Sequence, residues 1–244
     1  GVHGATIYGE EGNDTLIGST RFSDRLVGGA GDDILVATGF SSALDTTGDE
    51  LVGGEGSDVY RFDDSFLRVA TIYENAGDTG TDVISFTNGS LDAVEGFWFQ
   101  RVGQDLVISV PSQPLNHSAD VQVLTIAGWF DDVTRPVERI NLSNGTFILA
   151  GGIDALADAM SGLSATNLAD LTDSELTTLV PLIFASWQGH AGPTAGDDTL
   201  SATSSSGIAF GLAGNDSING SNNADRIFGG EGNDGIVGGE GDDT

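Results

Sequence analysis

The sequence predicts a mainly β chain in which two parallel β-rolls, right-handed β-solenoids, flank a β-rich capping segment and a short helical linker. Three observations predict it. Nine-residue units recur near both ends: residues 28–36 read GGAGDDILV, 53–61 read GGEGSDVYR and 229–237 read GGEGNDGIV. They share G-G-x-G-x-D-x-U-x, where U is a large apolar residue, the repeat of a parallel roll. Between the arrays, strand-like alternation and turn signals dominate, followed by helical apolar spacing. The expected divisions are 1–85 for the first roll, 86–150 for the cap, 151–192 for the helical linker and 193–244 for the second roll.

The spacing of the repeat has a chemical reading. Glycines at positions one, two and four let the backbone turn through positive φ and aim carbonyl oxygens inward. The Asp at position six adds a hard carboxylate oxygen, and positions seven to nine form a short strand with U in the core. Two units make one turn, so loops stack on one side every second repeat, with strands about 4.8 Å apart. Stacked carboxylates at that spacing repel by roughly 1 to 3.5 kcal/mol at effective dielectrics of about 80 to 20. A calcium ion between them removes the repulsion and takes the loop carbonyls as ligands. Folding and metal binding then become one event.

In the first array the well-formed loops supply candidate ligands Gly9, Glu11, Gly12 and Asp14, then Gly28, Ala30, Gly31 and Asp33, then Gly53, Glu55, Gly56 and Asp58. Between them lie poor copies: residues 18–27 carry Phe22 where Gly is expected, and residues 37–52 form a sixteen-residue insertion. Good and poor copies alternate as the sides do, so Asp14, Asp33 and Asp58 are expected on one side, with insertions on the other. Residues 77–85, GDTGTDVIS, extend this ladder with Gly80 and Asp82.

In the middle segment, residues 97–102 and 106–110 flank Gly103-Gln104-Asp105 as a hairpin, and 121–126, 137–142 and 146–149 read as further strands. Asn144-Gly145 is a tight-turn signal. Next, Ile153, Leu156, Ala157 and Met160 share one helical face, and Leu168, Leu171, Leu176, Leu179, Ile183 and Trp187 continue the apolar content. Thr172-Asp173-Ser174-Glu175 is a capping box that starts a second helix, which Pro181 should kink or restart. Asp154, Asp158, Asp170, Asp173 and Glu175 interrupt this stretch, which has no basic residue from 153 to 187. That composition argues for covering exposed roll ends rather than lying on an anionic membrane.

In the second array the loops end at Asp198, Asp216, Asp225, Asp234 and Asp243. Gly211, Ala213 and Gly214 accompany Asp216; Gly229, Glu231 and Gly232 accompany Asp234; Gly238 and Gly241 accompany Asp243. Residues 202–210 place Gly207 at position six and so lack the ligand. Asp198, Asp216 and Asp234 should share one side, Asp225 and Asp243 the other. Asn223 replaces Gly at position four of the Asp225 loop, and Asn tolerates left-handed geometry.

Composition sets outer bounds. Thirty-seven acidic against eight basic residues leave −29, and every basic residue is Arg. Nucleic acid is excluded as a partner, and so is charge-driven docking on an anionic membrane. Self-repulsion on this scale disfavours a compact state unless cations bind. The 39% apolar content separates the chain from an acidic disordered tail. There is no cysteine, no membrane-length apolar run and no signal peptide. The chain starts inside one array and stops at Asp243-Thr244 before an expected U residue, the pattern expected of a piece of a longer protein. His3, His117 and His190 show no zinc spacing, H-E-x-x-H and G-x-S-x-G are absent, and no catalytic constellation stands out.

The repeats resemble those of the RTX (repeats-in-toxin, haemolysin-type) family. The middle resembles a segment that follows such arrays, through DVYRF at 58–62, DVISF at 82–86, DLVIS at 105–109, IAGWF at 126–130 and ERINL at 138–142. The resemblance implies a protein of a Gram-negative bacterium, exported by type I secretion machinery as an unfolded, calcium-free chain and folding outside the cell around several Ca²⁺ ions. It implies that the position-six aspartates named above are ligands. The expected role is a non-enzymatic, calcium-dependent folding and secretion module of a large exported adhesin, toxin or enzyme. One alternative is a glycan- or surface-binding module centred on 86–190; it needs Trp98, Trp129 and Trp187 as a sugar platform, whereas the favoured reading of these three is core and hairpin packing. A second is part of a secreted carbohydrate-active enzyme.

Overall fold

The computed structural model describes residues 4–20, 22–38, 48–62, 69–75, 78–87, 94–110, 122–131, 137–163, 165, 167–190, 192–202 and 207–244. His3, His117, Gly77 and most of the sixteen-residue insertion lie outside them. The chain divides into two compact units: Gly1–Leu163 with Ser186–Gly189, and Ser164–Ala185 with His190–Thr244.

The first unit is a roll. Strands β1 (Thr6–Glu11), β3 (Arg25–Ala30), β5 (Asp49–Glu55) and β7 (Val69–Tyr73) pair in parallel in one sheet. The strands between them in sequence, β2 (Thr15–Ile17), β4 (Ile34–Ala37), β6 (Val59–Phe62) and β8 (Val83–Phe86), pair in parallel in another. Consecutive strands thus go to opposite sheets, two per turn, as a nine-residue unit with one short strand requires. The register stacks the U residues Leu16, Leu35, Tyr60 and Ile84 in one column. Ile7, Leu26, Leu51 and Ile72 form the facing column. From Leu26 and Leu35 onward these residues are almost wholly buried.

The middle segment lengthens both sheets. β11 (Gln122–Ile126) adds in parallel to β7, then the antiparallel hairpin of β9 (Trp98–Val102) and β10 (Asp105–Val110) follows in the order β11-β10-β9. In the other sheet β12 (Arg139–Asn141) adds in parallel to β8, followed antiparallel by β13 (Phe147–Leu149) and β14 (Trp187–Gln188). The U column therefore continues through Ile140 and Ile148 to Trp187. Helix α1 (Ala150–Met160) packs on β9, the last strand of one sheet, and on β13, the last but one of the other, and buries Ile153, Leu156, Ala157 and Met160. Aromatic contacts run from Phe62 to Phe86, Phe97 and Phe99, with Trp187 against the last two; centroids are 5.1–6.4 Å apart. At the other end Tyr8 on β1 and Ile17 on β2 stay exposed.

The second unit holds α2 (Asp173–Ser186) and a smaller roll. Parallel strands β15 (Thr199–Ser201), β17 (Ser217–Asn219) and β19 (Gly235–Val237) form one sheet; β16 (Ile208–Phe210) and β18 (Arg226–Phe228) form the other. The roll's apolar core is slight: Ala202, Ala209 and Ile218, flanked by Leu200 and Ile227, with Phe210 stacked on Phe228. The capping box forms as expected: Thr172 N–H donates to Glu175 Oε2 at 2.8 Å and Glu175 N–H to Thr172 Oγ1 at 3.3 Å. Pro181 does not restart α2; the helix runs through it, losing one main-chain donor without ending.

Candidate metal centres

The position-six residues form ladders. Asp14 N–H donates to Asp33 Oδ1, Asp33 N–H to Asp58 Oδ1 and Asp58 N–H to Asp82 Oδ1, each at 2.8 Å. Asp82 N–H then donates to Glu138 Oε2 at 2.6 Å, so a residue of the middle segment closes the series. In the second unit Asp198 N–H reaches Asp216 Oδ1 at 2.8 Å and Asp216 N–H reaches Asp234 Oδ1 at 3.0 Å. On its other side Asp225 N–H reaches Asp243 Oδ1 at 3.1 Å. Asp33, Asp58, Asp216, Asp234 and Asp243 thus use Oδ1 to fix a neighbour's backbone and turn Oδ2 toward the position-one glycine of their own loop.

In the first roll what Oδ2 meets differs by side. On the Asp14 ladder the Oδ2 atoms of Asp14, Asp33 and Asp58 are buried with no hydrogen-bond partner, as is that of Asp216 in the second roll. A buried, unanswered carboxylate oxygen is costly unless a cation takes it. The space beside these atoms is kept open by position-one glycines. A Cβ on Gly9 would stand 2.9 Å from Asp14 Oδ2 and 2.6 Å from the Gly28 carbonyl oxygen. Gly28, Gly211, Gly229 and Gly238 would collide in the same way with Asp33, Asp216, Asp234 and Asp243. Carboxylate and carbonyl oxygens converging on a space with no side chain are the donor set of a hard divalent cation.

Position-one glycines therefore serve by lacking a Cβ. Positive φ is needed only at positions two and four, as at Gly29 (122°) and Gly31 (130°). Two loops accept this conformation without glycine at position two, at Glu10 (75°) and Leu212 (76°). Asn223 does not adopt the left-handed geometry expected of it. Its loop is held instead by Ser221, whose hydroxyl accepts from Asn223 N–H at 3.1 Å and contacts Asp225. The position-three carbonyls of Ala30, Glu55 and Glu231 accept main-chain N–H groups of Gly12, Gly31 and Gly214 at 2.7–2.8 Å, while the side chains of Glu11, Glu55 and Glu231 face solvent. Gly56 and Gly80 stack at position four, Gly80 directly over the Gly56 carbonyl. Gly53, Gly232 and Gly241 complete their loops, the last two at positive φ, and Ala213 bridges in parallel to Glu231.

The opposite side of the first roll has its own aspartates, which the imperfect copies concealed. Ala5 N–H donates to Asp24 Oδ1 at 2.6 Å and Asp24 N–H to Asp49 Oδ1 at 2.9 Å. Here protein donors stand in for a cation: Ser19 N–H donates to Asp24 Oδ2, and the Thr38 hydroxyl donates to the Gly18 carbonyl. Asp198 and Asp225 are answered likewise, by Thr194 N–H (2.7 Å) and Ser221 N–H (2.6 Å). Position five, read as variable, forms a second rail. Asn13 Oδ1 accepts from Asp32 N–H, Asp32 Oδ1 from Ser57 N–H and Ser57 Oγ from Thr81 N–H, at 2.9–3.0 Å. Asp197, Asn215 and Asn233 repeat it in the second roll. The recurrence of Asn, Asp and Ser before the ladder aspartate was the signal.

Charge accumulates toward the end of the first ladder. Burial, with nearby carboxylates adding to it, raises Asp33, pushes Asp58 up to about 6 and Asp82 up to about 7. Glu74, just after β7, goes up to about 9 for the same reasons. The three tryptophans proposed as a platform are each 2% exposed. Trp129 Nε1 donates to Asp154 Oδ1 at 2.8 Å, tying α1 down, so these rings pack and offer no sugar face. His190 contacts the Phe184 carbonyl and ring rather than a metal set.

Residues 6–20, 19–39 and 210–244 match the RTX calcium-binding nonapeptide repeat family, in four copies. No curated protein matches the chain. Among solved structures, the extracellular lipase LipA from Serratia marcescens aligns at 19% identity over 96% of this chain, with a TM-score of 0.25. The chain spans 29% of that lipase's length.

Proposed function

We propose that this chain, which carries RTX calcium-binding repeats, is the calcium-dependent folding and secretion module of a larger protein exported by type I machinery. One observation carries the reading: a buried ladder whose Oδ2 atoms at Asp14, Asp33 and Asp58 have no protein partner and face spaces vacated by glycine. Calcium supplies positive charge and a high coordination number for oxygen donors. The residues that would hold it are Asp14, Asp33, Asp58 and Asp82 with the position-one carbonyls of the following turn, and Asp216 and Asp234 in the second roll.

The consequence for export follows from charge. Without calcium, −29 and stacked carboxylates oppose compaction and keep the chain threadable; millimolar calcium outside a cell removes the opposition. Adhesive or catalytic work then belongs to other parts of the parent protein. Circular dichroism tests this. Chelator should abolish most of the β signal and added calcium restore it, with site affinities near ~10⁻⁴–10⁻³ M. An unchanged spectrum in chelator would sink coupled folding.

A further inference from the structure

The geometry points to a cation site outside the nonapeptide code, at the far end of the first ladder, in which Glu74 joins Asp58 and Asp82 and makes this the tightest calcium site of the chain. The inference deepens the calcium-module reading above and rests on it. β5 and β7 are in register from Asp49↔Ala70 to Val52↔Tyr73, which brings Glu74 opposite Gly53. Gly53 is position one of its loop. So Glu74 stands where Gly9, Gly28 and Gly53 stand in the earlier turns, and a carboxylate fills the place the repeat reserves for no side chain.

The groups converge. Ligand oxygens of Asp58, Glu74 and Asp82 all lie within 4.8 Å of one another. The space a Cβ on Gly53 would fill is bounded by Asp58 Oδ2, the Tyr60 hydroxyl and Glu74 Oε1. Asp58 is 0% exposed, and its Oδ2, like Glu74 Oε2, has no hydrogen-bond partner. The protein answers the cluster with the Tyr60 hydroxyl on Glu74 Oε1 and with main-chain N–H groups on the Oδ1 atoms of Asp58 and Asp82. Among the described residues no cationic side chain pairs with these three.

A regular rung offers an ion two carboxylates; this one offers three, from two successive turns of the chain. Affinity in oxygen sites rises with ligand charge and rigidity. Tyr60 is the one U residue among the good loops with a polar tip, and that tip orients Glu74. A site drawn from β6, β7 and the Asp82 loop also clamps the regular repeats to the strands beyond them, so it should fill first and hold the roll's end.

Calorimetric calcium titration of the full chain, wild type against Glu74→Gln and Glu74→Gly, is the test. The glycine variant restores the repeat's own residue at position one, so a foldable variant is in hand even where glutamine disturbs the roll. The tightest class of sites should weaken about ten-fold or more in both variants. The remaining sites and the calcium-restored β signal should persist. A tight class unchanged in either folded variant, with the wild type still binding calcium, would overturn this site alone. A wild type that takes up no calcium would overturn the calcium-module reading and this site with it.

Discussion

At the scale of residues, the two aspartate ladders of the first roll look alike in Oδ1 and differ in Oδ2. Asp33 leaves Oδ2 to a cation and lies between two rungs, whereas Asp24 Oδ2 already receives Ser19 N–H. Asp33→Ala should therefore shift the calcium midpoint several-fold further than Asp24→Ala, because removing one ligand leaves neighbouring charges unbridged. Equal shifts in a calcium titration would refute the assignment of sides. Protons compete for the same oxygens. Asp58 at about 6, Asp82 at about 7 and Glu74 at about 9 all lie above their unfolded values. Their contribution to the metal-free fold is thus complete below about pH 4 and is lost stepwise as pH rises through those values. In chelator, acidifying from about pH 8 to about pH 5 should recover β signal in circular dichroism. With saturating calcium the same change should recover none, since protons then displace the metal.

At the scale of elements, each strand is too short to hold itself and lives by its column. Ile84 is fully buried between Tyr60 and Ile140, one partner from the repeats and one from the middle segment. Ile84→Ala should cost about 2–5 kcal/mol in denaturant unfolding of the calcium-loaded protein. A surface-sized loss would show the column to be loosely packed. The helices act differently. α1 covers β9, the edge strand of one sheet, and is tied down through Trp129 to Asp154, so it guards an edge that would otherwise pair with other chains. α2 depends on its cap, and Thr172→Ala should lower stability by about 1 kcal/mol. Neither helix is long and apolar enough to cross a membrane.

At the scale of the whole molecule, the two rolls have unequal means of staying folded. The first has two seven-stranded sheets and an aromatic series ending at Trp187; the second has three-residue strands around Ala202, Ala209 and Ile218 and a single stacked pair, Phe210 on Phe228. With so little apolar burial, the second roll must take a larger share of its stability from metal. As calcium is lowered in steps, hydrogen exchange should accelerate first across residues 207–244 and only later across 6–62. Simultaneous loss in both regions would show one cooperative unit instead.

The loop code was legible because it is local. Glycine at fixed offsets from aspartate sets the turn, the turn sets the period, and the period places Asp14, Asp33, Asp58 and Asp82 on one side whatever the rest of the chain does. The capping box at Thr172 and the buried face of α1 were legible for the same reason: each is decided within one or two turns of backbone. The hydrogen-bonded Asp24–Asp49 pair was not, since its loops break the glycine spacing and only stacking on neighbouring turns restores the alignment. Nor was the addition of β11 beside β7 and β12 beside β8, because a short alternating segment specifies a strand but not its neighbour. Glu74 and Glu138 reach the ladder from outside the repeat. Their place follows from where long-range pairing sets β7 and β12, a choice made by burying apolar columns across the whole sheet rather than by any spacing in the chain.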